Sequence, residues 1–302
     1  MSADNNSTRA VLFALGANLA IAVAKGVAAF FSGSSAMVAE TVHSLADSGN
    51  QLLLLLGMKQ AQTPPSAEYP LGYGKAIYFW SFLVAVILFS IGGMFSIYEG
   101  VHKLTHAEPL RDWWWAVGVL IFSIVAEGIS MRACLKEVNK ARGNRSLWRW
   151  FRQSRQAELI VIFGEDLAAL TGLVLALIAI GGTVITGNPL WDAVGTLLIG
   201  VLLIVVAVFV AIEVKALLIG QGMDPRIAAE LKTYVESRPE VQRVFNVLSL
   251  QLGDDVMLAV KAQMAPVERP AQLIAAINAV EASIRERYPQ VRWCFFEPDD
   301  TD

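Results

Sequence analysis

Charge is scarce in this chain. Lys, Arg, Asp and Glu supply 17% of its 302 residues and hydrophobic residues 55%. Ordinary soluble domains carry roughly 25% charge, so the composition points to a membrane protein. Cysteine is scarcer still: Cys134 and Cys294 are too few for a disulfide framework. The stretch from Met1 to Thr8 is polar and lacks the basic start of a short cleavable signal, so nothing marks secretion. A formal net charge of -3, with no basic stripe beyond one loop, argues against nucleic acid as a partner. Histidine occurs three times, at His43, His102 and His106, so the surroundings of each are informative.

Long hydrophobic runs are abundant. Six stretches hold the ~20 apolar residues that a spanning helix needs, near 9–31, 35–59, 77–101, 113–134, 157–181 and 190–220. From residue 222 the composition turns polar and mixed. The expected organisation is a membrane domain over 1–221 and a soluble domain over 222–302. Lys and Arg beside the runs set the orientation. Arg9, Lys59, Lys75, Arg132, Lys136, Lys140, Arg142, Arg145, Arg149, Arg152 and Arg155 make 11 on one side, against Lys103 and Arg111 on the other. Both termini are therefore expected in the cytoplasm. The basic loop between the fourth and fifth runs reads more simply as the positive-inside anchor than as an RNA or lipid patch.

The second run carries ETVHSLADSGN, Glu40 to Asn50, and takes ionisable side chains to a depth where bare charge is costly. His43 and Asp47 are four apart, about 40° round a helix and about 6 Å along it, so one face presents an imidazole and a carboxylate together. Such a pair suits zinc, cobalt, iron or manganese, and the ion's charge offsets the cost of the carboxylate. The competing reading is a polar patch that joins helices. Lys25 lies about 9 Å inside the outer end of the first span, and Glu40 reaches nearly the same depth. The two are expected to pair, which leaves Glu40 beside the site and not among its ligands.

The fifth run contains Gly164, Glu165 and Asp166 between VIF and LAAL. Asp166 lies about 15 Å from the cytoplasmic end of its helix and Asp47 about 18 Å from the end of its own, so the two carboxylates reach one level. His43, Asp47 and Asp166 then make three ligands, and Glu165 or a water can supply the fourth of a tetrahedral ion. Glu165 points about 100° away from Asp166, free to take up protons or to face another helix. Pairing with buried Lys or Arg would be the purely structural account of both acids, but the fifth run contains neither.

These features resemble the cation diffusion facilitator family over nearly the whole chain. The matches are six runs, His43-x-x-x-Asp47, the acids of the fifth run, Tyr69-Pro-Leu-Gly-Tyr-Gly-Lys75 leading into YFWSF, GGMFSIYEG ending the third run, and a soluble C-terminal part. The GYGK and Glu165-Asp166 features look most like the branch of the mitochondrial zinc transporters and their bacterial relatives. The resemblance implies a homodimeric exporter of divalent metal, usually zinc, driven by inward proton flow, with its transport site on the second and fifth helices. The metal is then cargo, no resident cofactor is implied, and the expected location is a bacterial inner membrane. Two departures stand out. The position four before Asp166 is Ile162, where many members have a metal-binding histidine. Tyr69 and Tyr73 stand where some relatives have an accessory histidine site. His102 and His106 lie at an external helix end with Glu99 and Glu108, where a solvated surface pair is the simpler reading.

Beyond Gly222, Asp224-Pro225 starts a helix with apolar spacing to Val235. VQRVFNVLSLQL and VMLAVKAQM read as strands about the turn Gly253-Asp254-Asp255, and a helix near 270–287 and the strand VRWCFF follow. In the family this α-β-β-α-β order is a small ferredoxin-like dimerisation domain that often binds regulatory metal. This segment has no histidine, so metal sensing would fall to Cys294, Glu297 and the acidic tail, and a cysteine in an alternating strand is more often simply buried. The full expectation is an α-helical membrane protein with six transmembrane helices plus a small α+β ferredoxin-like domain. Lys75 and Glu213 are candidates for an interdomain or intersubunit ion pair. Two other functions use the same residues: a membrane-embedded metal enzyme that activates water, and a metal sensor that binds without transport.

Overall fold

The structure, a computed structural model, describes residues 2–106 and 109–301, with side chains from residue 16 onward except residue 17. Arg9 and Glu108 therefore lie outside the described side chains. The helices are α1 (Ser2–Ser32), α2 (Ser35–Ala61), α3 (Ala76–Ile87), α4 (Phe95–Thr105), α5 (Trp113–Arg142), α6 (Leu147–Gln153), α7 (Ala157–Thr186), α8 (Leu190–Ile219), α9 (Pro225–Glu236) and α10 (Pro270–Arg287). The strands are β1 (Val241–Leu252), β2 (Asp255–Met264) and β3 (Val291–Pro298). A π-helical turn, Leu88–Met94, joins α3 to α4 into one rod.

Among the described residues, four helices are long and apolar enough to cross a bilayer: Ala76–Thr105, Trp113–Arg142, Ala157–Thr186 and Leu190–Ile219. The expected runs at 9–31 and 35–59 coincide with α1 and α2, which are not among these four. Within α1, Asn18–Ser32 is a shorter apolar stretch. At 27 residues, α2 is about 40 Å long, enough for the hydrocarbon core. Its hydropathy is lowered by Glu40, His43, Asp47 and Asn50, the residues that carry its chemistry.

Local chemistry fixes the helix ends. Gly33 adopts φ 65 between α1 and α2, a left-handed corner that glycine enters without strain. Ser34 caps α2 by accepting from Met37 N at 3.2 Å. Asp192, fully buried in the first turn of α8, accepts from Ser34 Oγ (2.5 Å), Ser35 N (2.7 Å) and Ser35 Oγ (3.0 Å). A carboxylate at a helix N-terminus satisfies free amides and complements the helix dipole, so α8 holds α2 at that end. Small residues bring the third rod onto α8: a Cβ on Gly100 would stand 2.7 Å from Leu197 Cγ.

The apolar interior of the helical part falls into two clusters. One gathers Met37, Leu88, Leu120, Leu173, Ile180, Ile199 and Leu203. The other gathers Leu54, Tyr78, Val84, Trp150, Ile160 and Val214. On α2 and α7 the polar stretch from Glu40 to Asn50 and the Glu165-Asp166 pair lie between them in sequence, so a charged layer is held between two dry ones.

The C-terminal part follows the α-β-β-α-β order read from the sequence. Its sheet has the order β1-β2-β3, with β1 antiparallel and β3 parallel to β2. Residues alternate along β2, and Val256, Leu258, Val260 and Ala262 pack with Leu231, Val235, Val280 and Ile284 of α9 and α10. Leu248, Ala259 and Phe295 form one row across the strands, and Leu248 and Phe295 are exposed. This part joins the basic end of the helical part. Arg145 pairs with Asp224 at 2.9 Å, Arg155 Nε donates to Gly222 O at 2.6 Å, and Gly253 N donates to Tyr78 Oη at 2.9 Å.

Candidate metal centre

On α2, His43, Asp47 and Asn50 follow the i, i+4, i+7 spacing of a single face. His43 is fully buried and neither ring nitrogen makes a hydrogen bond. Its Nδ1 stands 3.4 Å from Asp47 Oδ1, near but not aligned as donor and acceptor. Buried polar groups are almost always paired, so an unpaired imidazole beside a carboxylate marks lone pairs kept for something else.

Lys25 Nζ meets Glu40 Oε2 at 3.1 Å and Ser44 Oγ at 2.7 Å, with both charged side chains fully buried. The pair expected from depth alone is present, and Glu40 is engaged by it. Gly172 on α7 makes room, since a Cβ there would come 2.6 Å from Glu40 Oε1.

The two acids of α7 face different neighbours. Glu165 Oε1 accepts from Asn50 Nδ2 of α2 at 2.6 Å, and Asp166 accepts from Ser130 Oγ of α5 at 3.3 and 3.4 Å. By depth alone Asp166 would face α2, but helix packing gives that position to Glu165 and turns Asp166 toward α5. Both nevertheless line one cavity of about 70 Å³ with Asp47, Glu127, Ser44 and Gln51. A single water needs about 10–15 Å³ of such space, so this cavity has room for an ion that keeps part of its hydration.

The structure thus brings Asp47, Glu165 and Asp166 to one cavity, with His43 against Asp47. Among the described residues, no three His, Cys, Asp or Glu side chains converge closely enough to hold an ion in this conformation. Glu127, absent from the residues singled out in the sequence, also lines this cavity. As the single acid of the run 113–134, it carried the same signal that singled out Glu165 and Asp166.

Within the chain Glu213 meets Arg152 Nη1 at 2.5 Å and not the candidate partner Lys75. Arg152 sits on α6, a short helix inside the basic loop, and this places it nearer. His102 and His106 stack with ring centroids 4.8 Å apart, and His106 Nδ1 lies 2.9 Å from Thr105 Oγ1. Their expected neighbour Glu108 is outside the described residues. Cys294 packs into the core of the sheet part, and burial pushes its thiol up to about 11.

The chain is thus an apolar helical bundle with carboxylates and an imidazole in its interior, attached to a small α/β part. A family model described as the cation efflux transmembrane domain matches residues 11–219. The chain belongs to the cation diffusion facilitator family, whose members are transporters and not enzymes, and it is an integral membrane protein. It is 35% identical over 225 residues to the "Proton-coupled zinc antiporter SLC30A9, mitochondrial" of Xenopus laevis, covering 74% of this chain and 40% of that protein. It is 30% identical over 252 residues to "Metal tolerance protein C4" of Arabidopsis thaliana, covering 83% and 55%. The "Magnetosome protein MamB" of Paramagnetospirillum magneticum is 25% identical over 288 residues, 93% and 90% of the two chains. The chain thus spans less than half the length of the mitochondrial antiporter it matches.

Proposed function

We propose that this chain exports a divalent metal cation, zinc above all, in exchange for protons by alternating access. The observation that carries the reading is the interior cavity lined by Asp47, Glu165 and Asp166, with His43 unpaired against Asp47. His43, Asp47, Asp166 and Glu165 are the assigned metal-binding residues. The ion enters from the cytoplasm and displaces protons from the imidazole and carboxylates. When the helices rearrange it leaves outward and protons return. Metal and proton compete for the same lone pairs, so the two flows are coupled without a separate device.

The six apolar runs support six membrane spans, α1, α2, α3–α4, α5, α7 and α8, the charge bias supports both termini in the cytoplasm, and the family resemblance is the ground for placing the chain in a bacterial inner membrane. The row Leu248, Ala259 and Phe295, whose two outer members are exposed, supports a homodimer through 222–302, because apolar patches on a sheet face are typical partner surfaces. The name of the zinc antiporter relative supports zinc and proton exchange here. The test is uptake by proteoliposomes of the full chain, with zinc, cobalt, iron and manganese compared under an imposed pH gradient. Zinc accumulation against proton flow is expected; metal movement indifferent to the gradient contradicts antiport, and no movement of any ion contradicts transport.

A further inference from the structure

Glu127 lies on α5, in neither of the helices that supply the assigned ligands, yet it lines the same cavity as Asp47, Glu165 and Asp166. A cluster of carboxylates alone marks only an acidic patch. What sets this cluster apart is the imidazole behind it: the His43 side chain is 1% exposed, both its ring nitrogens are unpaired, and its Nδ1 stands 3.4 Å from Asp47, which lines the cavity. We infer that Glu127 is a further ligand of the transported cation, supplying from α5 the donor that α7 lacks at Ile162. The inference rests on the transport reading above.

Three observations carry it. Ile162 lines the cavity one turn before Asp166 and has no lone pair, and the Glu165 carboxylate is tied to Asn50, so beside His43, Asp47 and Asp166 a tetrahedral set has a fourth place that Glu127 can fill. Among the described residues, Glu127 has no hydrogen bond or ion pair, whereas Glu165 is held by Asn50 and Asp166 by Ser130. The nearby buried cation is committed elsewhere: Lys25 is bound by Glu40 and Ser44. A carboxylate at membrane depth needs a compensating partner, and a divalent ion between α2, α5 and α7 is the partner this cavity can admit. Ser130, one turn along α5, already ties α5 to Asp166, so a cation bound by Glu127 would link the same three helices.

The test uses the purified full chain with zinc for affinity and cobalt(II) for its visible spectrum, which reports ligand number and type. Outer-shell partners of metal sites already cost about 10–100-fold in affinity when removed, so Glu127→Gln should weaken zinc binding at least as much, and the cobalt spectrum should change. Should Glu127→Gln fail to fold, Glu127→Asp keeps the charge but draws the carboxylate back by one methylene, and the same spectral change is expected. Wild-type affinity and spectrum in either folded variant overturn the inference. Asp47→Ala separates the two levels: if it abolishes binding while Glu127→Gln is silent, Glu127 alone is misassigned. If Asp47→Ala itself binds zinc normally, the transport-site reading fails.

Discussion

Asn50 Nδ2 donates to Glu165 Oε1 across 2.6 Å, joining α2 to α7 at the wall of the charged cavity. Both groups are buried, so this bond fixes the separation of the two helices that carry the assigned ligands. Asn50→Ala leaves the Glu165 carboxylate without its donor, and an orphaned buried group costs about 1–3 kcal/mol. Thermal unfolding in detergent should show that loss together with weaker zinc binding. Unchanged melting would mean that the bond does not hold the helices.

Lys25→Met should be among the most damaging single changes in the bundle. It strands Glu40, which is fully buried and, among the described residues, has no other cation within an ion-pair distance, and breaking a buried pair costs about 3–5 kcal/mol. The double variant Lys25→Met, Glu40→Gln removes both charges and should recover most of the melting temperature. A double variant no more stable than the single one would contradict a simple pair.

Glu165 and Asp166 should behave differently. Glu165 is held tightly by Asn50, whereas the bonds from Ser130 to Asp166 are long, which leaves the Asp166 lone pairs more available to an ion. Asp166→Asn is therefore expected to remove zinc binding, since an amide cannot balance a divalent charge in lipid. Glu165→Gln should leave binding measurable while altering its pH dependence or metal preference. Calorimetry on both variants decides; the opposite pattern reverses the roles.

Much of this was legible in the sequence, because its signals are lengths and periods. The apolar runs predict helices close to where they stand, and alternation finds all three strands. The Lys25–Glu40 pair follows from depth alone, since two opposite charges in lipid at one level have few other partners. Rotation about the helix axis was not legible. A 100° offset separates Glu165 from Asp166 without saying which neighbour each meets; helix packing decides that. Arg152 displaced Lys75 as the partner of Glu213 because α6 folds inside a loop whose basic residues read only as an orientation signal. Asp192, which caps α2 from α8, acts over a sequence distance that no local pattern spans.

The contact between the helical and sheet parts should loosen in acid. Burial alone would raise the Asp224 carboxyl, but hydrogen bonds from Arg226 and the charges of Arg145 and Arg226 outweigh it and hold the group below the ordinary value. A carboxyl lowered on folding contributes fully above its unfolded value, about 3.9, and loses that contribution as pH falls through the lower folded one. Limited proteolysis near residue 222 should therefore accelerate only below about pH 4. Asp224→Asn should show the faster cleavage at neutral pH; equal rates in both proteins would contradict the latch.

The central claim is that a cation crosses through the α2–α7 cavity against protons. Its most direct test is simultaneous recording of zinc uptake and internal pH in proteoliposomes of the wild-type chain and of Asp47→Ala, the latter first shown to insert and to keep the wild-type oligomeric state. Zinc accumulation with opposite proton movement in the wild type, and neither in Asp47→Ala, is the predicted result. Normal zinc flux through a well-folded Asp47→Ala protein would contradict the account.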